Sequence, residues 1–190
     1  MKIAITISIS LAALCALGQG TFVVDQQAPA VGDGPSMQSL TAPWGQSFTP
    51  AFSSTDFIRL VFLDGNPNDG LGATVHLTLH SDSINGPTIG TTESETMANR
   101  FAGPADFLFP SSVPLTPGVT YYFQPTLQDG GTWSIEDGPY SYSGGDAYNA
   151  GVAEQGINLW FREGIIVPEP SSAALLALGG LLFLHRHKKS

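Results

Sequence analysis

Two histidines stand four residues apart in Thr74-Val-His-Leu-Thr-Leu-His80, and no other histidine lies between residues 19 and 166. On a helix that spacing puts two metal ligands on one face. Here Val75, Leu77 and Leu79 alternate with His76, Thr78 and His80, which is the period of a strand. Four residues along a strand span about 13 Å, too far for both imidazoles to hold one ion. The two histidines are expected on a polar face, in water. A second ion-binding candidate is Asp64-Gly-Asn-Pro-Asn-Asp-Gly70. Side-chain oxygens at alternate positions suit Ca²⁺, the one cofactor this sequence suggests. The EF-hand pattern fails, because Asp69 occupies the sixth position, where glycine belongs, and Val75 the twelfth. A turn rich in Pro, Gly, Asn and Asp accounts for the same residues.

Catalytic constellations are sparse. No Gly-x-Ser-x-Gly elbow occurs, and His76 and His80 are the only bases a Ser-His-Asp triad could use. The one cysteine, Cys15, precedes the body of the chain. Asp137, Asp146 and Glu154 share a loop-rich stretch in which two carboxyl groups could pair for glycoside hydrolysis, so a secreted carbohydrate-active hydrolase is the alternative reading. Non-enzymatic sugar binding needs aromatic faces for the apolar sides of sugars and a few polar groups for their hydroxyls. Trp133, Tyr140, Tyr142, Asp146, Tyr148 and an outward Trp160 supply both types. The competing account packs Trp133 and several of the tyrosines into a core or against the glycine-rich loop at 144–145.

The elements that must position these residues are strands. Ile157, Leu159 and Phe161 alternate with Asn158, Trp160 and Arg162, while Phe57–Leu63 is almost continuously apolar, as in a strand covered on both faces. Thr21–Asp25, Gly45–Phe52, Thr88–Thr92, Asp106–Phe109, Val119–Thr126 and Thr132–Ile135 complete the set. Turn residues separate them at Asn85-Gly-Pro87, Thr116-Pro-Gly118, Asp129-Gly-Gly131 and Asp137-Gly-Pro139. Met97–Phe101 is the one place for a single helical turn. About nine short strands with this punctuation predict an all-β fold, a single β-sandwich with jelly-roll or Greek-key wiring.

Charge and ends set the compartment. Residues 19–166 hold three arginines, no lysine and fifteen carboxylates, a formal net charge of −12. Such a body repels phosphate backbones, so nucleic acid is excluded as a partner. Residues 1–18 read as a secretory signal peptide: Lys2, an apolar stretch from Ile3 to Leu17, then small residues at Ala16 and Gly18, with a second cleavage position after Gly20. Cleavage removes Cys15, so residues 19–166 must form a domain held by packing without disulfides.

Two parts of the chain resemble known families. The order Gly45-Gln-Ser-Phe48, Leu115-Thr-Pro-Gly-Val-Thr-Tyr-Tyr122, Tyr142-Ser-Gly-Gly145 is similar to bacterial extracellular β-sandwich modules, a class often adhesive or carbohydrate-binding. The segment 167–190 opens with Val-Pro-Glu-Pro-Ser, continues through an uncharged apolar run from Ala173 to Leu184 and ends on His-Arg-His-Lys-Lys-Ser. It resembles the PEP-CTERM sorting signal of bacterial exosortase substrates. The resemblance implies that Pro168, Glu169 and Pro170 are the sorting motif. It implies a short transmembrane helix in the apolar run, and Arg186, Lys188 and Lys189 as the basic end retained on the cytoplasmic side, as the charge rule for membrane segments also requires. It further implies an exosortase-type membrane protease or transpeptidase as partner and an inner-membrane-anchored precursor. The expected product is a non-enzymatic protein of the cell surface or extracellular polysaccharide matrix.

Overall fold

A computed structural model describes residues 20–28 and 35–168. The expected signal peptide, Glu169, Pro170, the apolar run and Arg186, Lys188 and Lys189 lie outside the described residues. Phe22–Val167 forms one compact unit.

The described chain is all-β. Its strands are β1 (Thr21–Ala28), β2 (Ser36–Ser39), β3 (Trp44–Phe48), β4 (Ser54–Asp64), β5 (Ala73–His80), β6 (Thr88–Thr91), β7 (Glu95–Met97) and β8 (Ala102–Pro114). There follow β9 (Tyr121–Gly130), β10 (Trp133–Gly138), β11 (Ala147–Asn149), β12 (Val152–Glu154), β13 (Asn158–Leu159) and β14 (Phe161–Val167). No helix among the described residues is long and apolar enough to cross a membrane. Met97–Phe101 is a tight turn and not a helical one: Phe101 N–H donates to the Ala98 carbonyl at 3.0 Å, with Arg100 at φ 69°.

Two antiparallel sheets share one core, the arrangement of a β-sandwich. The first runs β1-β14-β4-β10-β13, with β2 on β10 and β8 on β4; the second runs β12-β11-β3-β9-β5-β6, with β7 on β5. Period two places the core. Ile58, Leu60 and Phe62 of β4 face Val75, Leu77 and Leu79 of β5 together with Phe48, Phe107, Phe123, Trp133 and Phe161, all within 2 % of complete burial. Each such side chain contributes about 1.5–3 kcal/mol by leaving water, the only large stabilising term open to a domain without disulfides. Strand β4 is not covered on both faces. Its outward residues run from Phe57, buried under Phe22 of β1 in an edge-to-face contact, through Arg59 and Val61 to Leu63, which is 37 % exposed.

Local motifs close the sandwich. Gln46, fully buried on β3, donates to Asn158 Oδ1 at 2.8 Å and accepts the Leu159 N–H at 2.8 Å, so one side chain ties the second sheet to β13 of the first. Asn158 in turn donates to the carbonyls of Tyr140 and Tyr142. Tyr121 OH accepts the Thr116 N–H at 2.9 Å, five residues upstream, a tyrosine corner of the kind that braces sandwich turns. Gly145 lies against β3 so closely that a Cβ would run into the Ser47 carbonyl, and Ser47 N–H donates to the Asp146 carbonyl at 2.9 Å. The edge of β8 carries Pro104, Pro110 and Pro114, residues that blunt pairing with another chain.

Strand β4 changes partners partway along its length. Leu60 pairs with Phe161 of β14, whereas Phe62 pairs with Ile135 of β10. At Val61, therefore, β10 peels away and the β13–β14 segment comes in. The departing and arriving arms pair with each other, Asp137 opposite Leu159 and Gly138 opposite Asn158.

Candidate functional site on the outer face of the first sheet

The six aromatic and acidic residues named from sequence do not form one patch. Trp133 is 1 % exposed and belongs to the core, because it shares the inward face of β10 with Ile135. Tyr142 is half-buried, edge-to-face with Phe161; its hydroxyl accepts the Thr49 N–H and donates toward Gln26 Oε1. Its pKa is pushed up to about 12, first by burial. Asp146 precedes β11, where its backbone bonds to Ser47. Tyr148 meets Tyr122 edge to face at 5.6 Å on the outer side of the second sheet. Burial, then the neighbouring Tyr148, raises the Tyr122 pKa.

Trp160 and Tyr140, by contrast, come together at the β10/β13–β14 junction. Leu159 and Phe161 are fully buried, while Trp160, at the break between β13 and β14, and Arg162 on β14 are partly exposed; the Trp160 side chain also packs against the edge of the core. Ile135 likewise points in, so Glu136 points out. The Trp160 N–H donates to the Glu136 carbonyl at 3.0 Å, which fixes the two residues side by side. Tyr140, 6 % exposed, lies over Gly138, where a Cβ would meet its ring at 3.0 Å. Its hydroxyl donates to Glu136 Oε1 at 2.7 Å. That bond and burial both disfavour the phenolate, so burial first and Glu136 second raise the Tyr140 pKa. On the other side, the Arg162 guanidinium stacks over the Trp160 ring at 5.2 Å from its centroid, a geometry that favours the cation.

The result is an indole with a guanidinium over its ring, bonded through its backbone to a glutamate whose carboxylate a tyrosine hydroxyl holds. Donor, acceptor and apolar platform stand together, which is what recognition of a polyhydroxylated ring requires. Trp160 and Tyr140 are among the residues that the sequence singles out. Glu136 and Arg162 are not, although their place in the two alternating segments is the signal that could have found them.

Other candidate chemistry disperses. Asp137 sits on β10 and accepts Ser36 Oγ and Gln38 Nε2, while Glu154 lies on β12 at the far edge of the second sheet. Asp64 is 5 % exposed, with one oxygen accepting the Asn66 N–H and the other the Arg100 N–H; Asp69 accepts the Leu71 N–H. Both carboxylates of the candidate calcium loop thus brace turns, and among the described residues no three His, Cys, Asp or Glu side chains converge on a metal position. His80 departs from its expected solvation. It is 9 % exposed under the 81–87 loop, bonded at Nδ1 to the Gly86 carbonyl and at Nε2 to Thr78 Oγ1. An open groove of about 390 Å³ on the second sheet is lined by Leu71, Thr74, Thr96 and Asp129 and holds no aromatic ring.

One buried carboxyl group lies one residue beyond Arg162 on β14. Glu163 follows Phe161 on the inward face of β14 and is fully buried. Neither of its oxygens meets a donor at hydrogen-bond geometry, although Asp25, Thr55 and the Gln26 backbone stand near. Burial, then the charge of Asp25, pushes its pKa up to about 8.

No protein-family model and no curated protein matches this chain.

Proposed function

We propose that this chain is an exported, non-enzymatic β-sandwich that binds carbohydrate at the bacterial cell surface or in the extracellular polysaccharide matrix. On this reading it reaches that place as the substrate of an exosortase-type membrane protease, after a stage anchored in the inner membrane. The observation that carries the binding role is Trp160, partly exposed at the break between β13 and β14, with the Arg162 guanidinium over its ring and its backbone N–H on the Glu136 carbonyl. Two further features support the rest. The Pro-Glu-Pro motif follows β14 directly, since the compact unit ends at Val167 and Pro168 is exposed. Successive strands also alternate repeatedly between the sheets, β3 to β4, β4 to β5, β8 to β9 and β9 to β10, as jelly-roll and Greek-key wiring requires.

A glycan array probed with the full chain and with Trp160→Ala, with and without Ca²⁺, tests the binding role. Loss of an indole platform costs about 1–3 kcal/mol of contact, so the variant should bind about 5- to 150-fold more weakly. Retention of no glycan by the unaltered chain would end this reading, and release of reducing sugar would replace it with the hydrolase.

A further inference from the structure

We propose that the Trp160 site selects sugars that carry a carboxylate, a hexuronate oligosaccharide, through Arg162. This inference rests on the carbohydrate-binding reading above and names the ligand class. The three arginines of residues 19–166 are used differently. Arg59 is held by Asp106 through both carboxylate oxygens, with the Nη2 contact at 2.8 Å. Its charge is answered, and the Asp106 bond first and the Asp106 charge besides raise its pKa against the burial that lowers it. Arg100 donates from Nε to the Pro67 carbonyl at 3.1 Å, in a turn at the other end of β4. Arg162 has neither kind of partner among the described residues. No carboxylate among them stands within ion-pair distance of it, and its Nε is closed off from water without an acceptor.

Among the described residues Arg162 is therefore the one arginine with neither a carboxylate nor a carbonyl partner, and it stands at the edge of the sugar platform. Its central carbon lies 5.2 Å from the Trp160 ring centroid, and no acceptor among the described residues takes its donors, which leaves them for an anion. Planar bidentate pairing is what a guanidinium offers a carboxylate and an ammonium does not. Register places Arg59 directly across from Arg162. The Arg59–Asp106 pair thus borders the site without adding net charge to it.

Glu136 is the acidic group on the opposite flank, and it gives the site polarity. A ring stacked on Trp160 would turn its carboxylate toward Arg162 and its hydroxyls toward Glu136; the reverse orientation places two carboxylates together. The net charge of −12 opposes a polyanion only at range. Its effect fades beyond about 8 Å at physiological ionic strength, whereas the Arg162 contact is made within that distance. Short uronate oligomers are accordingly the fitting ligand.

The test is titration calorimetry of the full chain with trimers of galacturonate, glucuronate, mannuronate and guluronate, each matched to the neutral trimer of the same linkage. In 0.15 M salt the best uronate should bind at least tenfold more tightly than its neutral partner. That preference should shrink toward unity in 0.5 M salt and in Arg162→Gln, with Arg162→Lys between the two. Should Arg162→Gln fail to fold, the salt series on the unaltered chain decides. Equal affinity for uronate and neutral trimers would overturn the carboxylate inference and leave carbohydrate binding standing. Binding of neither kind would remove both.

Discussion

Raising the pH should destabilise this protein through Glu163, and the size of the effect can be worked out from its surroundings. In the unfolded chain the carboxyl titrates near 4.5; in the fold, burial and Asp25 push it up to about 8. Between those values the folded state keeps a proton that the unfolded state has lost, so stability falls as pH rises. The slope is at most about 1.4 kcal/mol per pH unit. By pH 7 the cost is about 3 kcal/mol, and it levels off above pH 8 at roughly 4–5 kcal/mol. A domain of this size has on the order of 10 kcal/mol in total, so the loss is a large fraction of it. The groups facing Glu163 do not mask the effect. Tyr142, pushed up to about 12, stays neutral throughout, and Asp25 is already engaged, its Oδ2 accepting the Ala51 and Phe52 N–H groups at 2.7 and 2.8 Å. Urea unfolding of the unaltered chain and of Glu163→Gln from pH 5 to pH 9 isolates the group. The amide cannot ionise, so the two curves should run together near pH 5 and diverge by several kcal/mol at pH 9, with the variant the more stable. Parallel curves, or a wild-type stability that climbs between pH 6 and pH 8, would refute the reasoning.

Gln46→Leu keeps the volume of the side chain but strands the Leu159 N–H and the Asn158 side chain that Gln46 pairs. It should cost about 2–4 kcal/mol in urea unfolding, and a change under about 0.5 kcal/mol would show that Gln46 is not the tie between sheets. Deleting Pro168–Pro170 should leave a full-length, membrane-bound form in the producing cell, read by immunoblot of membrane and medium fractions; unchanged release would count against exosortase sorting.

Most of the strand layout was legible because alternation is a direct imprint of a two-faced sheet. Each of the nine segments read from sequence corresponds to strand in the structure, although their ends move. Gly45–Phe52 shortens to Trp44–Phe48, and Asp106–Phe109 grows to Ala102–Pro114. The four missed strands, β2, β7, β11 and β12, have only three or four residues, too few for a period to show. The turn between β11 and β12 gave little warning either, since Ala150 adopts φ 49° where Asn or Gly is usual. Burial was harder to read than strand identity. Trp133 is two residues from Ile135, and the same period that marked the strand puts both on the inner face. Its aromatic type suggested a ligand where its parity indicated core. Glu163 shares the parity of Phe161, yet its charge argued for solvent. His80 was illegible for another reason: its cover is the 81–87 loop, and nothing local to a strand announces what folds back over it.

The stretch Asn158–Glu163 shows how these duties are divided on one piece of chain. Asn158 is bonded to Gln46 across the sandwich and to two carbonyls of the preceding loop, while Leu159 and Phe161 enter the core. Between them Trp160 and Arg162 stay partly exposed, each standing between buried residues that cannot shift without opening the core. On the proposed reading, a platform held between such residues has little conformational entropy left to lose on binding. The same construction separates the effects of mutation. On the proposed reading, changes at Arg162 act on recognition with small effects on folding, whereas Trp160 also packs against the core, so its loss costs stability as well. Changes at Asn158, Leu159, Phe161 or Glu163 act on stability, and reach recognition only by displacing the strand that carries it.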